Sequence, residues 1–162
     1  MQQSTPRPEY PRPQFSRPAW MNLNGVWQFE MDFGASGRER GLVQKERLDS
    51  EILVPFCMES TLSGIGYTDF VDAVWYRRTF TLPPEAIGKR VLLHFGAVDY
   101  QCQAWVNGQS AGVHQGGYAS FTFEITAALQ AGENTLVVCA DDQPRGGRQP
   151  SGKQSHRYHS FG

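Results

Sequence analysis

At 162 residues the chain has the length of one domain, enough to bury roughly 70% of the surface that its unfolded form exposes. A hydrophobic fraction of 40% supports a packed core, while 15 basic against 16 acidic residues leave a net charge of −1. That balance excludes the basic face that nucleic acid or an anionic membrane surface would need.

The chain opens on an arm, residues 1–18, in which Pro6, Pro8, Pro11, Pro13 and Pro18 alternate with Arg7, Arg12 and Arg17. Each proline fixes φ and removes a backbone donor, so the arm is expected to run extended and outside any sheet interior. It suits either a strap on a neighbouring domain or subunit, or a solvated lead-in.

From residue 19 to 162 the sequence reads as short strands separated by turn chemistry. Val26 to Met31 alternates, with Trp27, Phe29 and Met31 on one face and Gln28 and Glu30 on the other. A polar stretch through Gly34, Gly37 and Gly41 follows. Ile52 to Val54 is a short strand stopped by Pro55, Val74 to Leu82 is a longer one stopped by Pro83 and Pro84, and Val91 to Phe95 comes next. Val98 to Val106 places Tyr100, Cys102, Ala104 and Val106 opposite Gln101, Gln103 and Trp105. Asn107-Gly108 then favours the positive φ pair of a tight hairpin. Phe121, Phe123 and Ile125 share a face, Thr126 is placed to cap one helical turn ended by Gly132, and Leu136 to Ala140 is the last strand. Seven or more strands at this spacing, with no sustained helical period, predict an all-β antiparallel sandwich.

No apolar run approaches the ~20 residues of a bilayer span. The segment Met1 to Pro6 lacks the pattern of a secretory signal, so cytoplasmic residence is the expectation. Cys57, Cys102 and Cys139 form no C-x-x-C pair, and each is expected as a buried free thiol.

Chemistry is sparse. Gly147 to Lys153 fits G-x-x-x-x-G-K, but Gln154 stands where a phosphate-binding loop needs a hydroxyl, and no helix follows. His156 and His159 offer two ligands without a third, so neither a metal nor any other cofactor is expected. Glu59, Asp69, Asp72, Asp99, Asp141 and Asp142 are carboxylates that sequence alone does not pair. Trp75, Tyr76 and Trp105 suit a sandwich core or, less readily, a flat platform for a pyranose ring.

Several motifs then fall into a recognisable order. Leu23-Asn24-Gly25-Val26-Trp27-Gln28-Phe29 resembles the L-N-G-x-W-x-F opening of glycoside hydrolase family 2, the β-galactosidase and β-glucuronidase family. Val54-Pro55 is similar to its V-P segment, and Trp75-Tyr76-Arg77-Arg78-Thr79-Phe80 to its W-Y-R-R-x-F strand. Val106-Asn107-Gly108, His114-Gln115-Gly116-Gly117-Tyr118, Phe121-Thr122-Phe123-Glu124-Ile125-Thr126 and Gly132-Glu133-Asn134 resemble the run that follows, with Glu124 where the family often has Asp. Gly116-Gly117 permits a sharp turn under which Tyr118 and Phe121 are expected to pack.

The resemblance implies a galactose-binding-domain-like jelly roll, the family's sugar-binding domain, followed in the family by an immunoglobulin-like domain and a TIM barrel that carries both catalytic glutamates. The chain is then expected to be a fragment of a longer enzyme, non-catalytic by itself. The parent activity would be β-galactosidase first and β-glucuronidase next, with carbohydrate and the barrel as partners. Family loops that reach the substrate match Tyr67-Thr68-Asp69 and the stretch from Asp141-Asp142 to His159. Tyr67, Asp69, Asp141, Asp142 and His159 are therefore the expected substrate-binding residues. A free-standing carbohydrate-binding module is the alternative; it would need an exposed aromatic platform of its own.

Overall fold

The structure, a computed structural model, describes residues 5–143. Eight antiparallel strands carry it: β1 (Gly25–Asp32), β2 (Ser50–Val54), β3 (Ala73–Thr81), β4 (Leu92–Phe95), β5 (Gln101–Val106), β6 (Gln109–Gln115), β7 (Phe121–Glu124) and β8 (Glu133–Asp141). Six of them form one sheet in the order β2-β1-β3-β8-β5-β6, and β4 pairs with β7 in a second. The result is the antiparallel sandwich that the period-two patterning predicts, in the jelly-roll form that the family resemblance implies.

The alternation of β1 does what its sequence implies. Trp27 and Phe29 are buried between the two sheets with Ile52, Phe80, Leu93, Cys102, Ala104, Val106, Ile125, Leu136 and Val138. The opposite face is also covered, which alternation with Gln28 and Glu30 does not suggest. Residues 33–48 fold over it, and Leu42 and Leu48 join Ala73, Trp75, Trp105, Val137 and Cys139 in a second core. Trp75 and Trp105 stack there with centroids 5.5 Å apart and planes 18° from parallel. They are core residues, 1% and 7% exposed, and offer no face to a sugar. Tyr76 faces the first core, edge-on to Trp27 and Phe29.

Two asparagines of the quoted motifs clasp the scaffold. Asn107 and Gly108 have φ of 51° and 77°, and the hairpin they turn pairs Val106 with Gln109. The Asn107 side chain accepts from Thr135 N and donates to Ala128 O and to Asn134 Oδ1. Asn134, fully buried, also accepts from Gln130 N and donates to Gln130 O and Gly132 O. A buried amide is tolerated because its bonding capacity is met.

Three local expectations need correction. Cys57 is exposed, because it falls in the turn after β2 rather than in a strand; Cys102 and Cys139 are buried free thiols, both pushed up to about 12 chiefly by burial. Tyr118 is 73% exposed, whereas Phe121 does pack, stacked on His114 at 4.0 Å and on Phe95 at 4.9 Å. The short 3-10 turn Thr126–Ala128 is capped by Ile125 without a side-chain bond, and the Thr126 hydroxyl instead accepts from Val91 N.

The described part of the arm lies against its own domain. Asn22 donates to Arg7 O, Asn24 to Pro6 O, Arg12 to the Ser120 hydroxyl, and Tyr10 meets Trp20 edge-on at 4.7 Å.

Candidate functional site

One row of the main sheet ends at a group of aspartates. Ala73 pairs with Asp32 on one side and with Asp141 on the other, and Asp141 pairs in turn with Gln101. The row beyond continues the ladder: Asp142 N donates to Asp72 O at 3.0 Å, and Tyr100 N donates to Asp141 O at 3.2 Å. Asp99 stands beside them, and Gly117 has no Cβ because one would enter the Asp99 carboxylate. The glycine pair of the His114–Tyr118 motif thus admits an acidic side chain to this end of the sheet.

The electrostatics follow from the crowding. Burial raises the Asp141 carboxyl, and Asp72, Asp142 and Asp32 add to this against the pull of Arg38. Asp99 is raised in the same way, by burial and then by Asp142. Arg38 is held in place by two bonds to Gln103 Oε1, at 3.1 and 2.9 Å.

Asp32 has the opposite bias. Burial would raise it, but bonds from the Trp75 indole, Gly37 N and Ser36 N, with the charge of Arg40, hold it below the ordinary carboxylate value. Its neighbour on the same strand face, Glu30, is buried and meets Arg40 at 2.7 Å and Lys45 at 2.9 Å. These ion pairs fix residues 33–48 to the sheet and belong to the scaffold.

The residues expected from sequence are brought together in part. Asp141 and Asp142 sit in the aspartate group. Tyr67 and Asp69 lie on the loop that leads into β3 at the same end of the sheet. Tyr67 N donates to Met58 O at 2.9 Å, and its ring stands edge-on to Phe33 with centroids 6.0 Å apart. Asp69 is exposed and accepts from Phe70 N at 2.7 Å. His159 lies outside the described residues. Asp72 and Asp99 were visible only as unplaced carboxylates, since strand register is what gathers them. Phe33 was missed entirely: it continues the Phe29-Met31 alternation, yet β1 stops at Asp32 and leaves it 56% exposed.

A separate open hollow of about 280 Å³ lies on the outer sheet face, lined by Val26, Gln28, Glu51, Arg77, Arg78 and Thr79. None of the expected residues borders it. Among the described residues no group of three or more His, Cys, Asp or Glu is arranged to hold a metal ion.

A family model described as "Glycosyl hydrolases family 2, sugar binding domain" matches residues 61–143. The β-glucuronidase of Felis catus is 33% identical over 120 residues, covering 68% of this chain and 18% of that protein. The β-galactosidase of Thermoanaerobacter pseudethanolicus is 35% identical over 86 residues, covering 52% of this chain and 12% of that protein. Among solved structures, the Lactobacillus rhamnosus β-glucuronidase superposes with a TM-score of 0.68 at 30% identity, over 76% of this chain and 21% of that one. The chain spans about a fifth of the length of the curated relatives that it matches. With the motifs in order, the sandwich in place and half of the sequence under the family model, the chain belongs to glycosyl hydrolase family 2, through its sugar-binding domain.

Proposed function

We propose that the chain serves as the non-catalytic sugar-binding domain of a retaining β-glucuronidase. The observation that carries this is the superposition on the L. rhamnosus β-glucuronidase, which spans most of this chain and about a fifth of that enzyme. Two of the three proteins compared above are β-glucuronidases, so that activity is placed ahead of β-galactosidase; the Thermoanaerobacter relative keeps the latter as the second reading.

In this reading the aspartate end of the main sheet forms one wall of the substrate site. Ionised carboxylates accept hydrogen bonds from sugar hydroxyls without donating any, which suits Asp69, Asp141 and Asp142 to orienting a ring. Tyr67 and His159 flank the same region in sequence. Cleavage itself needs two carboxyl groups about 5–5.5 Å apart across the scissile bond, and the remainder of the longer enzyme supplies them.

The test is a direct comparison of 4-nitrophenyl β-D-glucuronide and 4-nitrophenyl β-D-galactoside as substrates for the longer enzyme and for the 162-residue chain. The longer enzyme is expected to prefer the glucuronide, and the chain to cleave neither. A preference for the galactoside would reverse the order of the two activities. Turnover by the chain alone would end the non-catalytic reading.

A further inference from the structure

Phe33 is a large aromatic side chain that the fold holds outside its cores. It is the first residue after β1, in a turn that the Asp32 carboxylate ties down by accepting from Ser36 N at 3.1 Å and from Gly37 N at 2.6 Å. Asp32 is in turn fixed by the Trp75 indole at 3.1 Å and by Arg40 at 3.2 Å. An exposed ring on a turn this strongly constrained loses little conformational freedom when something packs on it. The ring of Tyr67 braces it in a T-shaped contact at 73°, and more than half of the Phe33 surface stays open to another group.

Register places Phe33 at the same sheet end as residues that carry hydrogen-bond acceptors. Asp32 pairs with Ala73, so Phe33 and Asp72 follow and precede adjacent strands at the same end, and Asp142 is bonded to Asp72 through the backbone. An apolar ring face next to carboxylates matches the two sides of a pyranose, whose C–H face stacks on aromatics while its hydroxyls donate.

We propose that Phe33, supported by Tyr67, is the stacking position for a neutral pyranose, the sugar on the leaving-group side of the glycosidic bond. This rests on the β-glucuronidase reading for the identity of the bond, but not for the stacking itself. The charge of the neighbourhood selects the neutral ring. Strand pairing gathers Asp32, Asp72, Asp141 and Asp142 at this end of the sheet, with Arg38 the cation acting on Asp141, so a further carboxylate from a uronate meets an excess of like charge. The ring that these aspartates orient is then the neutral one, and the glucuronate ring lies beyond the scissile bond.

The test is a titration of the 162-residue chain, carrying ring-labelled Phe and Tyr, with cellobiose, methyl β-D-glucopyranoside and methyl β-D-glucuronide at neutral pH. The neutral glycosides are expected to shift the Phe33 and Tyr67 ring resonances saturably, and the glucuronide to bind several-fold more weakly. Phe33→Ala should weaken the neutral ligands by about three- to tenfold, and Phe33→Tyr should restore them. Because the side chain is exposed, both variants should keep the amide spectrum of the folded domain. No shift at Phe33, unchanged binding in Phe33→Ala, or equal affinity for the glucuronide would each overturn the proposal. A longer enzyme that cleaves no β-glucuronide, with Phe33 still stacking neutral sugars, would overturn the proposed activity and leave this inference intact.

Discussion

The indole nitrogen of Trp75 donates to Oδ2 of Asp32 at 3.1 Å, across 43 residues of sequence and between adjacent strands. The same oxygen accepts from Gly37 N, so one carboxylate joins the second core to the turn that begins residues 33–48. Asp32→Ala removes that junction and leaves several buried donors without an acceptor. It should cost about 3 kcal/mol, as for other buried charge networks that lose one partner. Asp32→Asn should cost less, because one oxygen remains. Urea unfolding followed by tryptophan fluorescence reads both, since Trp75 lies at the contact.

Stability should be highest in mildly acidic solution. Asp99 and Asp141 are raised in the fold, so the native state takes up protons before the unfolded chain does as pH falls from neutral. Uptake by the native state stabilises it, and this gain is lost as pH rises through the folded pKa values. Asp32 is lowered from 3.8, and its contribution is present above that value and lost as pH falls through its folded pKa. Chemical denaturation from pH 7 downward should therefore show a rise and then a fall. Asp141→Asn should flatten the rise, and Asp32→Asn should blunt the fall; a profile that declines monotonically from pH 7 contradicts the assignment.

Gly112 on β6 lies under the ring of Phe123 on β7, and an added Cβ would come within 2.6 Å of it. Gly112→Ala must push Phe123 away or lift β6, and overpacking of this kind typically costs about 1–3 kcal/mol. Thermal melts should show the loss. Phe123→Leu in the same chain should recover part of it by removing ring volume, which distinguishes a collision from a general dislike of alanine at this backbone position.

Asn134→Ala should cost about 2 kcal/mol, because the fully buried amide is lost and Gln130 N, Gln130 O, Gly132 O and Asn107 Nδ2, all partly buried, each lose a partner. Hydrogen exchange should localise the damage to residues 130–135 and the hairpin at Asn107. Protection left unchanged there would mean that the side chain is a passenger.

Strand positions were legible from sequence because alternation and turn residues are local signals, and the hairpin at Asn107-Gly108 is an example. The second core was not, since Gln28 and Glu30 look solvent-facing. Only the fold shows that Arg40 and Lys45 from the next segment neutralise Glu30 while Leu42 and Leu48 bury Trp75. The candidate site was half legible. Asp141, Asp142, Tyr67 and Asp69 followed from motif resemblance, whereas Asp72 and Asp99 needed the register of β3, β5 and β8. Phe33 was hidden because it falls after the alternation read from Val26 to Met31, in a polar stretch where a single ring carries no periodic signal.

The way the arm is held has a consequence for how its sequence can drift. Asn22 and Asn24 grip it through the carbonyls of Arg7 and Pro6, groups that every residue type possesses. Side chains at those two arm positions can change without releasing the strap, provided that the backbone path survives. Selection on the contact therefore falls on the two asparagines rather than on the segment they hold. Among related chains the arm should vary in letters at positions 6 and 7 while keeping its course.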